Sequence, residues 1–238
     1  MSLLQVEGVS KSFGGLKALR DITLEIPEQE FFGIIGPNGA GKTTLFSVLA
    51  GQLAPSAGKV SFDGKDITGW SADRVATAGL VRTFQLMRPF ESMTVLENVA
   101  IASHARIRSP RHAKNHARAV IERVGLEKYM NSMSGTLPTA GLKRLELARA
   151  LALEPRMILL DEVLAGLVPT ERAPIIELLR SIHAEGVTVM FVEHIMAAVM
   201  ALSQRLLVMH EGQHLALGTP KEVIENPAVI EAYLGEEY

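Results

Sequence analysis

The chain has 238 residues, 47% of them hydrophobic, with a formal net charge of −2 and no cysteine. That length and apolar content lead us to expect a globular chain with one substantial core, or a core plus a small subdomain. The charge, with a pI near 6.4, argues against bulk electrostatic binding of nucleic acid, and the lack of cysteine excludes a disulfide framework or a thiolate metal site and fits a cytosolic location.

Residues Met1 to Glu7 lack the layout of a signal peptide, and no apolar run approaches the roughly 20 residues that span a bilayer, so any membrane role is expected to be peripheral. The first thirty residues alternate with period two, most clearly at Ile22, Leu24 and Ile26 with Thr23 and Glu25 between them, which predicts a half-buried antiparallel strand. Phe31 to Ile35 reads as a short buried strand and Thr43 to Leu49 as a helix. Between them lies Gly36-Pro-Asn-Gly-Ala-Gly-Lys-Thr-Thr44, a full match to the phosphate-binding pattern G-x-x-x-x-G-K-[ST]. Gly36, Gly39 and Gly41 let backbone N–H groups converge on phosphate oxygens, and the helix N-terminus adds positive potential. Lys42 can reach the β- and γ-phosphates, while Thr43 offers a hydroxyl to Mg²⁺. A glycine-rich turn can match the pattern by chance, but here strand, loop and helix stand in the required order.

A second antiparallel stretch, Lys59 to Phe62, precedes the turn Asp63-Gly64. The pattern changes at Thr94-Val-Leu-Glu97, a capping-box signature. Apolar residues at helical spacing recur through Val120-Ile121 and from Leu145 to Leu153, so the middle third is expected to form a helical lobe. Within it, Arg106, Arg108, Arg111, Lys114 and Arg118 accompany two histidines and no carboxylate. The run is dilute, and we expect a solvated helix face, although its charge also fits anionic lipid or a partner protein. His112 and His116 lie one helical turn apart, a metal-compatible spacing with no further ligand nearby, and are expected to be surface histidines.

After Pro155, Met157 to Leu160 and Val187 to Val192 read as buried parallel strands, with a helix from about Thr170 between them. The first of these ends in Asp161-Glu162. An aspartate at a strand end can simply cap the next helix; following a complete phosphate loop, it is expected to hold the Mg²⁺ shell while Glu162 polarises the attacking water. Gln85 and His194 are further isolated polar residues that follow strands, where either can be an ordinary cap. No internal repeat, low-complexity run or long linker divides the chain.

Order and spacing together resemble the ATP-binding cassette family over nearly the whole chain. Phe13, in Val9-Ser-Lys-Ser-Phe-Gly-Gly15, matches the aromatic on which adenine stacks, and Gly36 to Thr44 matches Walker A. Gln85 matches the Q-loop, Asp161 and Glu162 match Walker B with its catalytic glutamate, and His194 matches the switch histidine. The stretches Val81-Arg-Thr-Phe-Gln85, Met93 to Asn98, Leu137-Pro138 and Arg144 to Ala150 look most like cassettes for uptake of branched-chain or other hydrophobic amino acids.

The resemblance implies an α/β P-loop NTPase fold: a RecA-like core with an antiparallel β-subdomain, plus an α-helical signature subdomain. Residues 1–238 would be one nucleotide-binding domain, with about 1–87 and 156–238 as the core and about 88–155 as the helical subdomain. It implies ATP bound by Phe13, Gly36, Pro37, Asn38, Gly39, Ala40, Gly41, Lys42, Thr43 and Thr44, with Lys42, Glu162 and His194 catalytic and Mg²⁺ held by Thr43, Gln85 and Asp161. It further implies two cassettes closing head to tail, the signature of each completing the ATP site of the other. Transmembrane permease subunits would dock near the Q-loop, a substrate-binding protein would act indirectly, and the chain would lie in the cytoplasm on the inner face of the cell membrane.

This chain departs from the family at the signature, where Leu137-Pro-Thr-Ala-Gly-Leu142 replaces LSGGQ, or the LPYGQQ of the amino-acid uptake cassettes. Pro138 has neither hydroxyl nor N–H, Ala140 carries a methyl in place of the second glycine, and Gly141 stands for glutamine. Val163 and Val168 also depart from the usual proline and from aspartate or asparagine. Thr139, Ala140 and Gly141 are therefore expected to make a compromised contact in trans, and a heterodimer with an unlike cassette is favoured. An ATPase for another substrate or an export system, and a nucleotide-gated regulatory or scaffold cassette with weak ATPase activity, stay open.

Overall fold

Two kinds of strand, half-buried and fully buried, build two sheets in the computed structural model, which describes residues 2–83 and 89–234. The long strands β1 (Ser2–Phe13) and β2 (Leu16–Pro27) are half-buried: in β2, Ile22, Leu24 and Ile26 face inward while Thr23 and Glu25 face solvent. With β4 (Ala57–Phe62) and β5 (Lys65–Asp66) they form an antiparallel sheet in the order β2-β1-β4-β5. The remaining strands belong to a second sheet. β3 (Phe31–Ile35) leads through the glycine loop into α1 (Lys42–Leu49), and α2 (Ala72–Ala78) precedes β6 (Leu80–Arg82).

The middle third is helical: α3 (Val95–His104), α4 (Pro110–Arg123) and α5 (Thr139–Leu151). The chain then returns through β7 (Met157–Asp161), α6 (Pro169–Ala184), β8 (Thr188–Val192), α7 (Met196–Leu202), the hairpin β9 (Arg205–His210) and β10 (Gln213–Gly218), and the short helices α8 (Pro220–Ile224) and α9 (Pro227–Leu234). The second sheet runs β10-β9-β3-β8-β7-β6, parallel except for the β9–β10 pair. Every residue of β3, β7 and β8 is buried, as expected of parallel strands covered on both faces.

Strand periodicity splits the interior into two apolar clusters. Phe32, Ile34, Leu159, Met190, Val192 and Leu207 point to the antiparallel sheet and α1, where they meet Leu4, Val6, Ile22, Phe46 and Phe62. Their neighbours Phe31, Ile35, Ile158, Leu160, Phe191 and Leu206 point the other way and pack with Val95, Val99, Ile121, Leu145, Leu151 and Leu179 of the helices. The helices of the middle third thus share an apolar cluster with the sheet.

The helix starts have local causes. Thr94 and Glu97 form a reciprocal capping box at α3, and Ser109 caps α4 with Pro110 in its first turn. Ser109-Pro110 also corrects one expectation. The basic segment is not one helix face, because Arg106 and Arg108 precede α4, and Arg106 Nε donates to the Leu153 carbonyl at 2.8 Å. His116 departs from a plain surface position too: Nδ1 lies 3.1 Å from Ser103 Oγ and Nε2 lies 3.5 Å from a Glu154 carboxylate oxygen. Among the described residues no helix is long and apolar enough to cross a membrane.

Candidate functional site

Two of the three glycines in the loop between β3 and α1 are needed there for different reasons. Gly36 has φ 151°, and a Cβ there would sit 2.1 Å from the Met209 carbonyl oxygen, so the backbone of β9 forbids any side chain. Gly39 has φ 80° with nothing within 4 Å of such a Cβ; it serves the turn's left-handed conformation and leaves its surroundings open. Lys42, in the first turn of α1, is buried, and its ammonium donates to the carbonyls of Gly36 and Pro37 at 2.6 and 2.8 Å. Asn38, Gly39 and Thr43 are exposed, Thr44 is half-exposed, and Pro37 and Ala40 are buried.

A cavity of about 650 Å³ opens over this loop, lined by residues 38–44 together with Phe13, Glu162 and His194. Phe13 ends β1 and is 46% exposed, an aromatic face presented at the cavity edge. Glu162 follows β7 and His194 follows β8, and the parallel pairing of Asp161 with Val192 brings the two strand ends side by side. His194 Nε2 lies 3.1 Å from Glu162 Oε1. The Glu162 N–H donates to the Val192 carbonyl at 3.0 Å, and its φ is 51°, a left-handed value uncommon outside glycine.

Asp161 is 1% exposed. One carboxylate oxygen, Oδ2, accepts from Arg82 Nη2 at 2.7 Å, and the other, Oδ1, is buried without a hydrogen-bond partner among the described residues. An orphaned carboxylate oxygen and a threonine hydroxyl at a helix start are hard oxygen donors, which fits Mg²⁺ bound chiefly through phosphates and water. Gln85, the third residue expected at the metal, lies outside the described residues. Thr139, Ala140 and Gly141 do not line the cavity; they form the first turn of α5, after Pro138 in the cap position with no side-chain capping bond.

Three residues around the site escape sequence reasoning. Arg82 pairs with Asp161 and also donates from Nη1 to Ser47 Oγ at 2.8 Å and Gln52 Oε1 at 2.6 Å. Glu193, beside His194, is 2% exposed and accepts the Leu164 N–H at 2.8 Å. Burial pushes its carboxyl above the usual range against the pull of the backbone N–H groups of Leu164 and His194. Lys143, 3% exposed, donates to the Glu162 carbonyl at 3.3 Å. All three stand beside motif residues, Arg82 before Gln85, Glu193 before His194 and Lys143 after Leu142, but nothing in that adjacency says which partner each one meets.

The family model described as ABC transporter matches residues 19–165, and that described as branched-chain amino acid ATP-binding cassette transporter matches residues 213–238. The high-affinity branched-chain amino acid transport ATP-binding protein BraF of Pseudomonas aeruginosa is 39% identical, across 98% of this chain and 98% of its own length. Among solved structures, the ADP conformation of MJ1267, an ATP-binding cassette of an ABC transporter, superposes with a TM-score of 0.90 at 33% identity, covering 99% of both chains. The dimeric structure of MJ0796, a bacterial ABC transporter cassette, superposes with a TM-score of 0.81 at 26% identity, covering 91% of this chain and 98% of that one.

Proposed function

This chain belongs to the ATP-binding cassette family of ABC transporters and is an ATPase, and from that premise we propose that it powers the uptake of branched-chain amino acids. The substrate class is supported by the match of residues 213–238 and by the likeness to BraF along nearly the full chain. The observation that carries the catalytic reading is the meeting of the Glu162–His194 pair with the Lys42 loop in one cavity.

In this reading the loop's N–H groups and the Lys42 ammonium bind the triphosphate, and Phe13 stacks on the adenine. Glu162 acts as general base, accepting a proton from the attacking water at its carboxylate. His194, within hydrogen-bond reach of that carboxylate, orients it and donates toward the transferred phosphoryl group. Thr43, Asp161 and Gln85 would hold Mg²⁺, which would supply neutralisation of phosphate charge. Residues 88–155 act as the helical subdomain and the rest as the core. The chain works as one of two cassettes, an arrangement supported by the likeness to the MJ0796 dimer, beneath permease subunits on the inner membrane face. The altered signature favours an unlike cassette as partner, with a substrate-binding protein delivering cargo.

The test is leucine uptake and ATP hydrolysis by the native complex reconstituted in vesicles. Glu162→Gln should keep ATP binding while hydrolysis and uptake fall by about 10²-fold or more, and Lys42→Ala should weaken binding itself. Parental hydrolysis in Glu162→Gln overturns the catalytic assignment; hydrolysis that leucine, isoleucine and valine all leave unstimulated overturns the substrate class.

A further inference from the structure

The turn that leaves β7 is pinned by two buried charges from different elements. From α5, Lys143 reaches the main-chain carbonyl of Glu162 at 3.3 Å, and the same oxygen accepts the Ala165 N–H at 3.1 Å. From the end of β8, Glu193 takes the Leu164 N–H at 2.8 Å. Between these anchors Val163 and Leu164 are buried, so the turn has little room to rearrange.

Glu162 needs such restraint. A non-glycine residue at φ 51° sits in a costly region of backbone space and persists where its surroundings over-determine it. Lys143 is an expensive restraint. Removing an ammonium from water is costly, and the one bond Lys143 makes among the described residues, to a neutral carbonyl, does not offset that cost. A position on α5 that served only packing would be filled at lower cost by leucine or methionine. The ammonium is therefore informative: among the described residues it is directed at the carbonyl that sets where Glu162 turns.

We propose that Lys143 is a positioning residue for hydrolysis, holding the left-handed backbone of Glu162 so that its carboxylate faces His194 and the cavity. The inference rests on the reading of Glu162 as general base. It also joins two parts of one chain. Lys143 lies one helical turn beyond Thr139, so the first turn of α5 and the catalytic carboxylate are linked through a single side chain.

The experiment compares Lys143→Met, Lys143→Arg and Glu162→Gln in the full-length chain within its native complex, reading kcat, KM for ATP and melting temperature. Lys143→Met should lower kcat by about tenfold with KM within about twofold of the parent, and Lys143→Arg, which keeps a charged donor, should recover most of the rate. The melting temperature of Lys143→Met should hold or rise, because a desolvated charge is removed. If Glu162→Gln loses hydrolysis while Lys143→Met keeps the parental kcat, the proposal fails and the reading of Glu162 stands. If both Met and Arg variants lose rate and melting temperature together, Lys143 is only structural and the proposal fails. Parental hydrolysis in Glu162→Gln removes the reading beneath it. Should Lys143→Met be insoluble, Lys143→Gln, a neutral donor of shorter reach, replaces it in the contrast with arginine, with the same outcomes.

Discussion

Arg82 and Asp161 form a nearly solvent-free ion pair between neighbouring strands, Nη2 to Oδ2 at 2.7 Å, with side chains 7% and 1% exposed. Breaking one side of such a pair leaves the other charge uncompensated. Arg82→Met should therefore cost about 3–5 kcal/mol of folding stability, more than a surface substitution by far. Arg82→Lys should cost less, since it keeps the charge but not the simultaneous bonds to Ser47 and Gln52. Urea unfolding of both variants checks the order; equal stability of Arg82→Met and the parent would contradict it.

Phe13 stands at the cavity edge with nearly half its surface free. Phe13→Ala should raise the dissociation constant for ATP by about fivefold, in line with the roughly 1 kcal/mol that aromatic stacking contributes beyond burial, while Phe13→Trp should bind as well as the parent. Fluorescent nucleotide titration reads both. A loss of kcat without a loss of affinity would assign the ring elsewhere.

The first turn of α5 carries no side-chain cap, because Pro138 occupies the cap position. Replacing Pro138, Thr139 and Ala140 by serine, glycine and glycine restores a hydroxyl and close backbone approach. Hydrolysis by the chain alone should rise by about tenfold, within what a restored donor to developing charge contributes. Steady-state ATPase of the chain alone and of the chain with an unlike cassette decides the matter: vigorous, concentration-dependent hydrolysis by the unmodified chain, unchanged by restoration, would refute the heterodimer.

Glu193 has a raised carboxyl pKa caused chiefly by burial. The folded state therefore holds this proton more tightly than the unfolded state does. Its contribution is most favourable at pH below the ordinary value of 4.5 and is lost as pH rises from there through the raised folded value. Glu193→Gln keeps an acceptor for the Leu164 N–H without the charge. It should be at least as stable as the parent at pH 8, with that advantage shrinking as pH falls toward 4.5. Denaturant unfolding across that range tests the sign; an advantage that grows toward acid would reverse it.

Much of this site is legible in sequence because its parts are local. The strand Phe31–Ile35, the loop and α1 follow one another without a break, so apolar run, glycine spacing and lysine can be read in one pass. The Thr94–Glu97 capping box is equally local, and it forms as expected. What resists reading is tertiary. Arg82 meets Asp161 across 79 residues, and Lys143 meets Glu162 from a helix whose apolar pattern shows only a polar interruption. The division of the basic segment at Ser109-Pro110 is a different matter: the cap and first-turn proline are visible signals that a count of like charges passes over.

Gly36 and Gly39, two of the three glycines of the phosphate loop, finally, differ in mutational tolerance although they are the same residue type. At Gly39 the demand is a torsion angle, and asparagine, which visits that region at modest cost, is an admissible substitute as far as folding goes. At Gly36 the demand is space against the Met209 carbonyl, a neighbour that is backbone and belongs to another strand, so relief would require moving β9 itself. A saturation library should thus show a graded profile at position 39 and an all-or-none profile at position 36.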